Sequence, residues 1–290
     1  MVTNASQPRF LNRKNIHFME ISGLEYLPRF NEFKEKYVHL STHAVEFELS
    51  CFERYFAIHA LMEKHDFSSI WHLDTDVFPT EQLRLYDQFD LVFSSPYLDN
   101  SVVSAHTSRF TLEGIREFTG FLVDEFYVDH LQALRHFYNT RLAAGLLGGV
   151  CDMQGLAFWL NTYRPGQWVN SFGIESNSLP RVNHTIANIS DEIFLSGKRR
   201  MFFILNRKRY IKVFTHRSSR RYASLHFQGQ YKFLIPTFIR FGFLVGSSKI
   251  LLLQTIFLVK GSLIRKIFQL KRESYSCTRI PMIFWLFRKK

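Results

Sequence analysis

The sequence predicts an α/β fold, because helical and strand-like segments alternate along most of its 290 residues. Residues 47–65 carry apolar side chains at helical spacing, and Ser69–Leu73 is a short apolar run typical of a strand. The carboxylates Asp74 and Asp76 follow this run directly. A helix that leads into a strand suits a βαβ unit, so we expect the acidic pair at the carboxyl end of a strand, where α/β proteins bind ligands.

The remaining elements are predicted from the same patterns. Apolar spacing indicates helices at Leu27–Tyr37, 111–138 and Met153–Leu160, the last with Asp152 as its N-cap. Short apolar runs indicate strands at Ile16–Ile21, Leu91–Ser95, 201–205, 210–214 and 222–227. A loop with Gly145, Gly148 and Gly149 precedes the last helix, and glycine lets backbone approach a ligand closely.

The composition is that of a globular chain, with 46% hydrophobic residues including 31 Phe. Cys51, Cys151 and Cys277 lie far apart and form no Cys-x-x-Cys pair. No disulfide framework or zinc site is therefore implied, and we expect a reducing compartment. Packing in the core is the favoured interpretation of Cys51 and Cys151.

Charge divides the chain into two unlike parts. Residues 1–197 carry 15 Lys/Arg and 24 Asp/Glu, a net charge of −9, whereas residues 198–290 carry 22 Lys/Arg and a single acid, Glu273. A strongly basic tail indicates an anionic partner, either a nucleic acid or a membrane surface. We predict one domain over residues 1–235 and a basic, apolar tail over residues 236–290.

The composition of the tail favours the membrane over nucleic acid. Aliphatic and aromatic runs with Lys/Arg flanks, such as those in residues 233–270, are typical of amphipathic helices that lie in a membrane interface. A helix packed on the core with solvated charges is the simpler alternative. Residues 241–259 are interrupted by Ser247, Ser248 and Lys249, so an interfacial helix is favoured over a spanning one. We expect a cytoplasmic protein, peripheral on the inner face of the cell membrane.

Asp74 and Asp76 are candidate metal ligands. Side chains at i and i+2 of a strand point to the same face, and two buried carboxylates there need a compensating cation. Mn²⁺ or Mg²⁺ bound to a phosphate-bearing substrate would supply that cation. Solvated turn residues are the common alternative for a lone Asp-x-Asp.

A second polar motif reads His226-x-x-Gly229-x-x-Lys232, at the end of a strand-like run. Histidine can bind a metal, Gly229 would admit an anion, and Lys232 would place a point charge on a phosphate. A histidine near a lysine is more often structural when it occurs alone. The occurrence of Asp74 and Asp76 upstream favours the functional interpretation of this motif.

Taken together, Leu73-Asp-Thr-Asp76 and the His226 motif resemble the nucleotide-sugar-dependent glycosyltransferases of the GT-A fold, which is Rossmann-like. The C-terminal motif is similar to that of glycosyltransferase family 8 and related bacterial polysaccharide and lipopolysaccharide glycosyltransferases. The resemblance covers about residues 15–235. It implies a nucleotide-sugar donor, expected to be a UDP-sugar, and a membrane-associated glycan or lipid-linked acceptor.

The resemblance also implies roles for individual residues. Asp74, Asp76 and His226 would hold Mn²⁺ or Mg²⁺ on the donor diphosphate, and Lys232 would contact that diphosphate beside Gly229. Two further candidates are less specific. Asp152, after the glycine loop, would orient sugar hydroxyls or act in catalysis. Arg54 would reach a nucleotide phosphate, with a paired or solvated arginine as the alternative.

The chain departs from the family pattern in two places. Phe233-Leu234 stands where the family has Pro-Trp, and the strand that holds the nucleotide base is expected to be missing before residue 15. These departures keep a second hypothesis open, a non-catalytic membrane-associated protein with a degenerate transferase-like domain. A nucleic-acid binder and a metal phosphoesterase are weaker alternatives. Retention of stereochemistry is favoured by the resemblance, and inversion with Asp152 as base stays open.

Overall fold

Two small β-sheets and five α-helices form the described part of the chain. The computed structural model describes residues 26–79, 81–95, 102–172, 181–182, 211–214, 219–227 and 284–285. The helices are α1 (Leu27–Lys36), α2 (Val45–Lys64), α3 (Leu112–Phe121), α4 (Leu131–Ala143) and α5 (Asp152–Tyr163). The strands are β1 (Ser69–Leu73), β2 (Val77–Pro79), β3 (Val92–Ser94), β4 (Ser104–Thr111), β5 (Val169–Asn170), β6 (Arg181–Val182), β7 (Ile211–Phe214), β8 (Ser219–His226) and β9 (Phe284–Trp285). The predicted α/β class is confirmed at this level.

The first sheet is mixed, with strand order β5-β3-β4-β1-β9. Its central strand β4 runs antiparallel to both β1 and β3, while β3 and β5 are parallel. In the second sheet β8 pairs antiparallel with β2 and β7 and parallel with β6. The chain therefore passes from one sheet to the other between β1 and β2, at the acidic residues 74–76.

Most of the predicted elements that fall within the described residues are confirmed with small shifts of their ends. They are α1, α2, α5, β1, β3, β7 and β8. The predicted strands Ile16–Ile21 and 201–205 lie outside the described residues. Of the predicted tail, the structure describes Phe284–Trp285, whose backbone pairs with β1 at Trp71 and His72. None of the helices within the described ranges combines the length and apolar content that crossing a bilayer requires.

The single helix predicted over residues 111–138 is wrong. The structure has α3, then a π-helical turn over Leu122–Phe126, a bend, and then α4. Five side chains around this turn are buried, which is a wider arc than one face of a regular helix presents. They are Phe121, Leu122, Val123, Phe126 and Tyr127. The wider turn shifts the helical register so that all five can pack inward.

Two smaller differences from the sequence analysis remain. The buried strand β4, which begins at Ser104, is absent from the predicted strands. The serine, threonine and histidine residues of β4 do not give the apolar pattern by which buried strands are usually recognised in a sequence. Asp152 is the first residue of α5 rather than its N-cap. Cys151 occupies the cap position, and its backbone N–H donates to Gln154 Oε1 over 3.0 Å.

The larger core contains many aromatic side chains, which pack on both sides of α2. Phe52 contacts Phe33 of α1 with ring centroids 4.9 Å apart. Tyr55 meets Phe118 of α3 edge-to-face, also at 4.9 Å. These side chains are fully buried, and their rigid packing fixes α2 against α1 and α3.

Gly149 allows the segment before α5 to lie directly on the segment before α2. A Cβ atom at Gly149 would lie 2.1 Å from the carbonyl oxygen of Leu40, so the backbone would have to move. Gly120 in α3 has no atom within 4 Å of the same position. We expect Gly149→Ala to destabilise the fold by about 1–3 kcal/mol and Gly120→Ala to stabilise it by about 0.5–1 kcal/mol.

Urea unfolding of the two variants and the wild type measures both effects. The matched substitution at Gly120 controls for the loss of backbone entropy in the unfolded chain. Equal midpoints for the two variants would contradict the close approach at Gly149.

Candidate functional site

The acidic residues lie in a turn that joins the two sheets. The backbone N–H of Asp74 donates to the carbonyl of His106 in β4 over 2.9 Å, and the N–H of Phe227 donates to the carbonyl of Asp76 over 2.8 Å. The strand β1 ends at Leu73, so Asp74 and Asp76 do not share one face of a strand as the spacing predicted. Their carboxylates instead face different partners.

Asp76 lies beside His226, which is 150 positions later in the chain. The β2–β8 ladder pairs Val77 with His226, and this register places Nε2 of His226 3.4 Å from Oδ1 of Asp76. Both side chains are buried. The imidazole ring of His106 lies against that of His226, with ring centroids 4.2 Å apart. Asp76 from the turn before β2 thus contacts His226 of β8, and His106 of β4 packs against the His226 ring.

This pair suits part of a divalent metal site. An oxygen and a nitrogen that bind one ion at about 2.1 Å each lie roughly 3 Å apart, close to the Asp76–His226 separation. A carboxylate with an imidazole favours Mn²⁺ over Mg²⁺, which prefers oxygen ligands throughout. Among the residues that the structure describes, however, no three His, Cys, Asp or Glu side chains converge on a common point. Asp74 is therefore not aligned with this pair.

Asp74 is held by Arg54 of α2. The Nη1 group of Arg54 donates to Oδ1 of Asp74 over 3.0 Å, and its Nη2 group donates to Oδ2 of Asp152 at the start of α5. Tyr55 donates its hydroxyl to the same Asp152 oxygen over 3.0 Å. Burial acts to lower the pKa of Arg54, but the electrostatic effects of Asp152, Tyr55 and Asp74 together outweigh it, so the pKa is raised well above its ordinary value. The guanidinium stays charged and bridges two carboxylates from different elements.

His72 completes this second group from β1. Its Nε2 atom lies 3.6 Å from Oδ1 of Asp74, and its Nδ1 atom lies 3.3 Å from the hydroxyl of Ser108. Burial, followed by the charge of Arg54, lowers the pKa of His72 to about 4. His72 is therefore neutral at physiological pH, and Arg54 supplies the positive charge next to Asp74.

A buried carboxyl group lies one and a half helical turns before Arg54. Ser41 donates its hydroxyl to Oε1 of Glu48 over 2.6 Å, and Oε2 of Glu48 has no hydrogen-bond partner among the described residues. Burial raises the pKa of Glu48. Burial also raises the pKa of Cys51 to about 12, so this cysteine is a thiol. Burial therefore favours the protonated form of both side chains.

The structure gathers the predicted site residues into two neighbouring groups. Asp74, Asp152 and Arg54 form one group, and Asp76 and His226 belong to the other. Gly229 and Lys232 lie outside the described residues. The sequence analysis assigned no site role to His72 or Tyr55.

The sequence could have indicated Tyr55, because it is adjacent to Arg54 on α2, and His72, because it lies two positions before Asp74.

Comparison of the chain with protein-family models, with curated proteins and with solved structures found no match. The interpretation of the site therefore depends on its own geometry. The Asp76–His226 pair offers donor atoms for a cation, and the Arg54–Asp152–Tyr55 group offers a fixed carboxylate.

Replacement of Arg54 tests whether the two carboxylates depend on it. Arg54→Met leaves Asp152 buried without its counterion, so we expect a loss of about 3–5 kcal/mol in the free energy of unfolding. The double variant Arg54→Met/Asp152→Asn should recover a large part of this loss. Urea unfolding measures both.

Arg116→Met is the matched control, because Arg116 pairs with Glu63 where both side chains are more than half exposed. We expect a loss below about 1 kcal/mol there. If Arg54→Met cost no more than this control, the buried ion pairs would not stabilise the fold.

The raised pKa of Glu48 predicts a pH-dependent stability. The folded chain keeps the Glu48 proton to a higher pH than the unfolded chain, whose glutamates titrate near about 4.3. The stability that this proton contributes is present below that pH and is lost as the pH rises through the raised pKa. Glu48→Gln removes this loss, so the variant should gain stability relative to wild type between pH 4 and pH 8.

Glu46→Gln is the matched control, since Glu46 is exposed on the same helix. Its difference from wild type in urea unfolding should change little with pH. A Glu48→Gln curve that runs parallel to the wild-type curve over the whole range would contradict the assignment.

Proposed function

We propose that this protein is a metal-dependent glycosyltransferase. It would transfer a hexose from a nucleotide sugar, expected to be a UDP-sugar, to a membrane-associated glycan or lipid acceptor in surface polysaccharide synthesis. The observation that carries the proposal is the 3.4 Å contact between Asp76 and His226. These residues belong to the two motifs whose resemblance to GT-A glycosyltransferases implies a shared metal ion.

Asp76 and His226 are the residues that would hold the ion. A divalent ion held there would supply positive charge to the diphosphate leaving group, which would lower the barrier to breaking the sugar–phosphate bond. In the transfer, the bond between the anomeric carbon and the phosphate oxygen would break and the diphosphate would keep the electron pair. The anomeric carbon would bond to an acceptor hydroxyl oxygen, whose proton would pass to the departing diphosphate.

Asp152 is best suited to orienting a sugar hydroxyl. One of its oxygens already accepts hydrogen bonds from Arg54 and Tyr55, so its direction is fixed before a substrate arrives. A carboxylate held in this way positions a hydroxyl more readily than it removes a proton. This supports retention over inversion, in agreement with the family 8 resemblance. Arg54 would reach a donor phosphate only in competition with the two carboxylates that it now binds.

A peripheral position on the inner face of the cell membrane fits this reaction, because a lipid-linked acceptor lies at that surface. The basic residues of the predicted tail support the same location.

The non-catalytic alternative has a specific observation in its favour. Asp74 is paired with Arg54, and within the described ranges no third carboxylate or histidine completes a metal site with Asp76 and His226. In a degenerate domain the acidic turn would serve only to join the two sheets. Cation binding separates the two hypotheses.

The first experiment is calorimetric titration of UDP into the full chain with and without Mn²⁺. We expect Mn²⁺-dependent binding that Asp76→Asn and His226→Asn each weaken at least about tenfold, because each removes one of the proposed ligands. Binding of Mn²⁺ alone, followed by electron paramagnetic resonance, reports the ion site without the nucleotide.

The matched controls are Asp129→Asn and His136→Asn, which make the same chemical changes at exposed positions. Both should bind Mn²⁺ and UDP as the wild type does. Absence of Mn²⁺ and UDP binding by the folded wild type would overturn the transferase hypothesis and support the non-catalytic one. If both site variants bound Mn²⁺ as the wild type does, the ion would have to bind at residues other than Asp76 and His226.

A further inference from the structure

An exposed apolar surface lies on the side of the molecule where the segments before α2 and α5 meet. Five of the nine exposed large apolar side chains among the described residues belong to it, namely Val45, Phe47, Leu142, Leu146 and Leu147. We call these five the leucine surface. Leu147 is 78% exposed, the highest value in this group. Soluble surfaces usually scatter such side chains singly, so their grouping calls for a partner.

Backbone hydrogen bonds hold the two halves of the leucine surface together. The N–H of Thr42 donates to the carbonyl of Gly148 over 3.1 Å, and the N–H of Gly148 donates to the hydroxyl of Thr42 over 2.8 Å. The ring of His43 meets that of Phe47 at 5.4 Å, which extends the contact along α2. The two segments that carry the leucine surface are therefore held side by side.

The exposed leucines are presented by a defined loop. Gly145 and Gly148 have φ values of 67° and 84°, which other residues adopt only with strain. Arg141 donates an Nη hydrogen to the carbonyl of Leu147 over 2.7 Å. The loop thus holds Leu146 and Leu147 outward at the end of α4 with ordered backbone on both sides.

The charges around the leucine surface distinguish it from the rest of this acidic half. Residues 130–151 contain Arg135 and Arg141 but no Asp or Glu, within a stretch 1–197 whose net charge is −9. Arg135 and Leu142 are seven positions apart on α4 and share a face of the helix. Of the acids on α2 nearby, Glu48 is buried, which leaves Glu46 at the edge. Apolar side chains with basic neighbours fit an anionic lipid surface.

We propose that the leucine surface contacts the membrane, with Leu146 and Leu147 at the boundary between headgroups and acyl chains and Arg135 and Arg141 near lipid phosphates. This is a contact of the folded domain itself, distinct from the predicted basic tail. The last residue of the leucine surface, Leu147, lies five positions before Asp152. If the proposed function holds, membrane contact through the leucine surface would turn the region of Asp152, where the acceptor sugar is proposed to bind, toward the membrane. The contact itself does not depend on transferase activity.

The experiment measures partitioning of the full chain onto vesicles of phosphatidylcholine alone and of phosphatidylcholine with 30% phosphatidylglycerol. We expect Leu146→Ser/Leu147→Ser to lower the partition coefficient on the anionic vesicles about tenfold, because two leucines no longer insert. Partition free energies of separate contacts add, so binding by the tail does not hide this loss. Arg135→Gln should lower binding about fivefold on anionic vesicles and little on neutral ones.

Matched controls make the same changes elsewhere. Leu27→Ser/Leu85→Ser replaces two exposed leucines outside the leucine surface, and Arg116→Gln removes an exposed arginine on α3. Neither should change partitioning more than about twofold. Hydrogen exchange of the wild type provides a readout that needs no variant, and the amides of residues 142–149 should exchange more slowly when vesicles are present.

A double variant that binds like the leucine control, or unchanged exchange over residues 142–149, would overturn the proposal. So would a wild type that does not bind anionic vesicles. A surface that instead joins two copies of the chain would appear as a dimer in sedimentation that Leu146→Ser/Leu147→Ser abolishes, with vesicle binding unaltered. Loss of Mn²⁺ and UDP binding would leave this result untouched.

Discussion

The arrangement of the site depends on the buried charge of Arg54. One guanidinium joins α2, the turn after β1 and the first residue of α5 through its contacts with Asp74 and Asp152. Its side chain is 12% exposed, and the aromatic residues of α2 that flank it belong to the core. A charge in that position is tolerated only with partners, and the carboxylates are equally dependent on it. Sheet and helices are thus fixed relative to one another by electrostatics as well as by packing.

This constraint divides the acidic pair. Asp74 faces Arg54 and the neutral His72, whereas Asp76 contacts His226 on strand β8 of the second sheet. A cation that bound both carboxylates would have to draw Asp74 away from Arg54. The guanidinium would then remain with Asp152 alone, so the electrostatic state around Asp74 and that around Asp152 are linked through one residue.

Local patterns were sufficient to predict α1, α2 and β1 and to single out the acidic residues. They failed where tertiary packing overrides local preference. The polar strand β4 carries His106 and Ser108, whose partners lie on other strands, and a single sequence does not show those partners. The same limit applies to the spacing of Asp74 and Asp76, since the turn that separates their carboxylates depends on hydrogen bonds to His106 and Phe227.

The stability of the fold does not require the Asp76–His226 pair. The pair's neighbours Val77 and Leu225 on the β2–β8 ladder, and Phe227 directly after β8, are apolar and buried. A carboxylate and an imidazole buried among them must lose their hydration, and replacing such a pair by apolar side chains is often neutral or stabilising. The fold could therefore join its two sheets at this point without either polar residue. Their presence there is the strongest physical argument that this junction binds a ligand rather than only connecting the sheets.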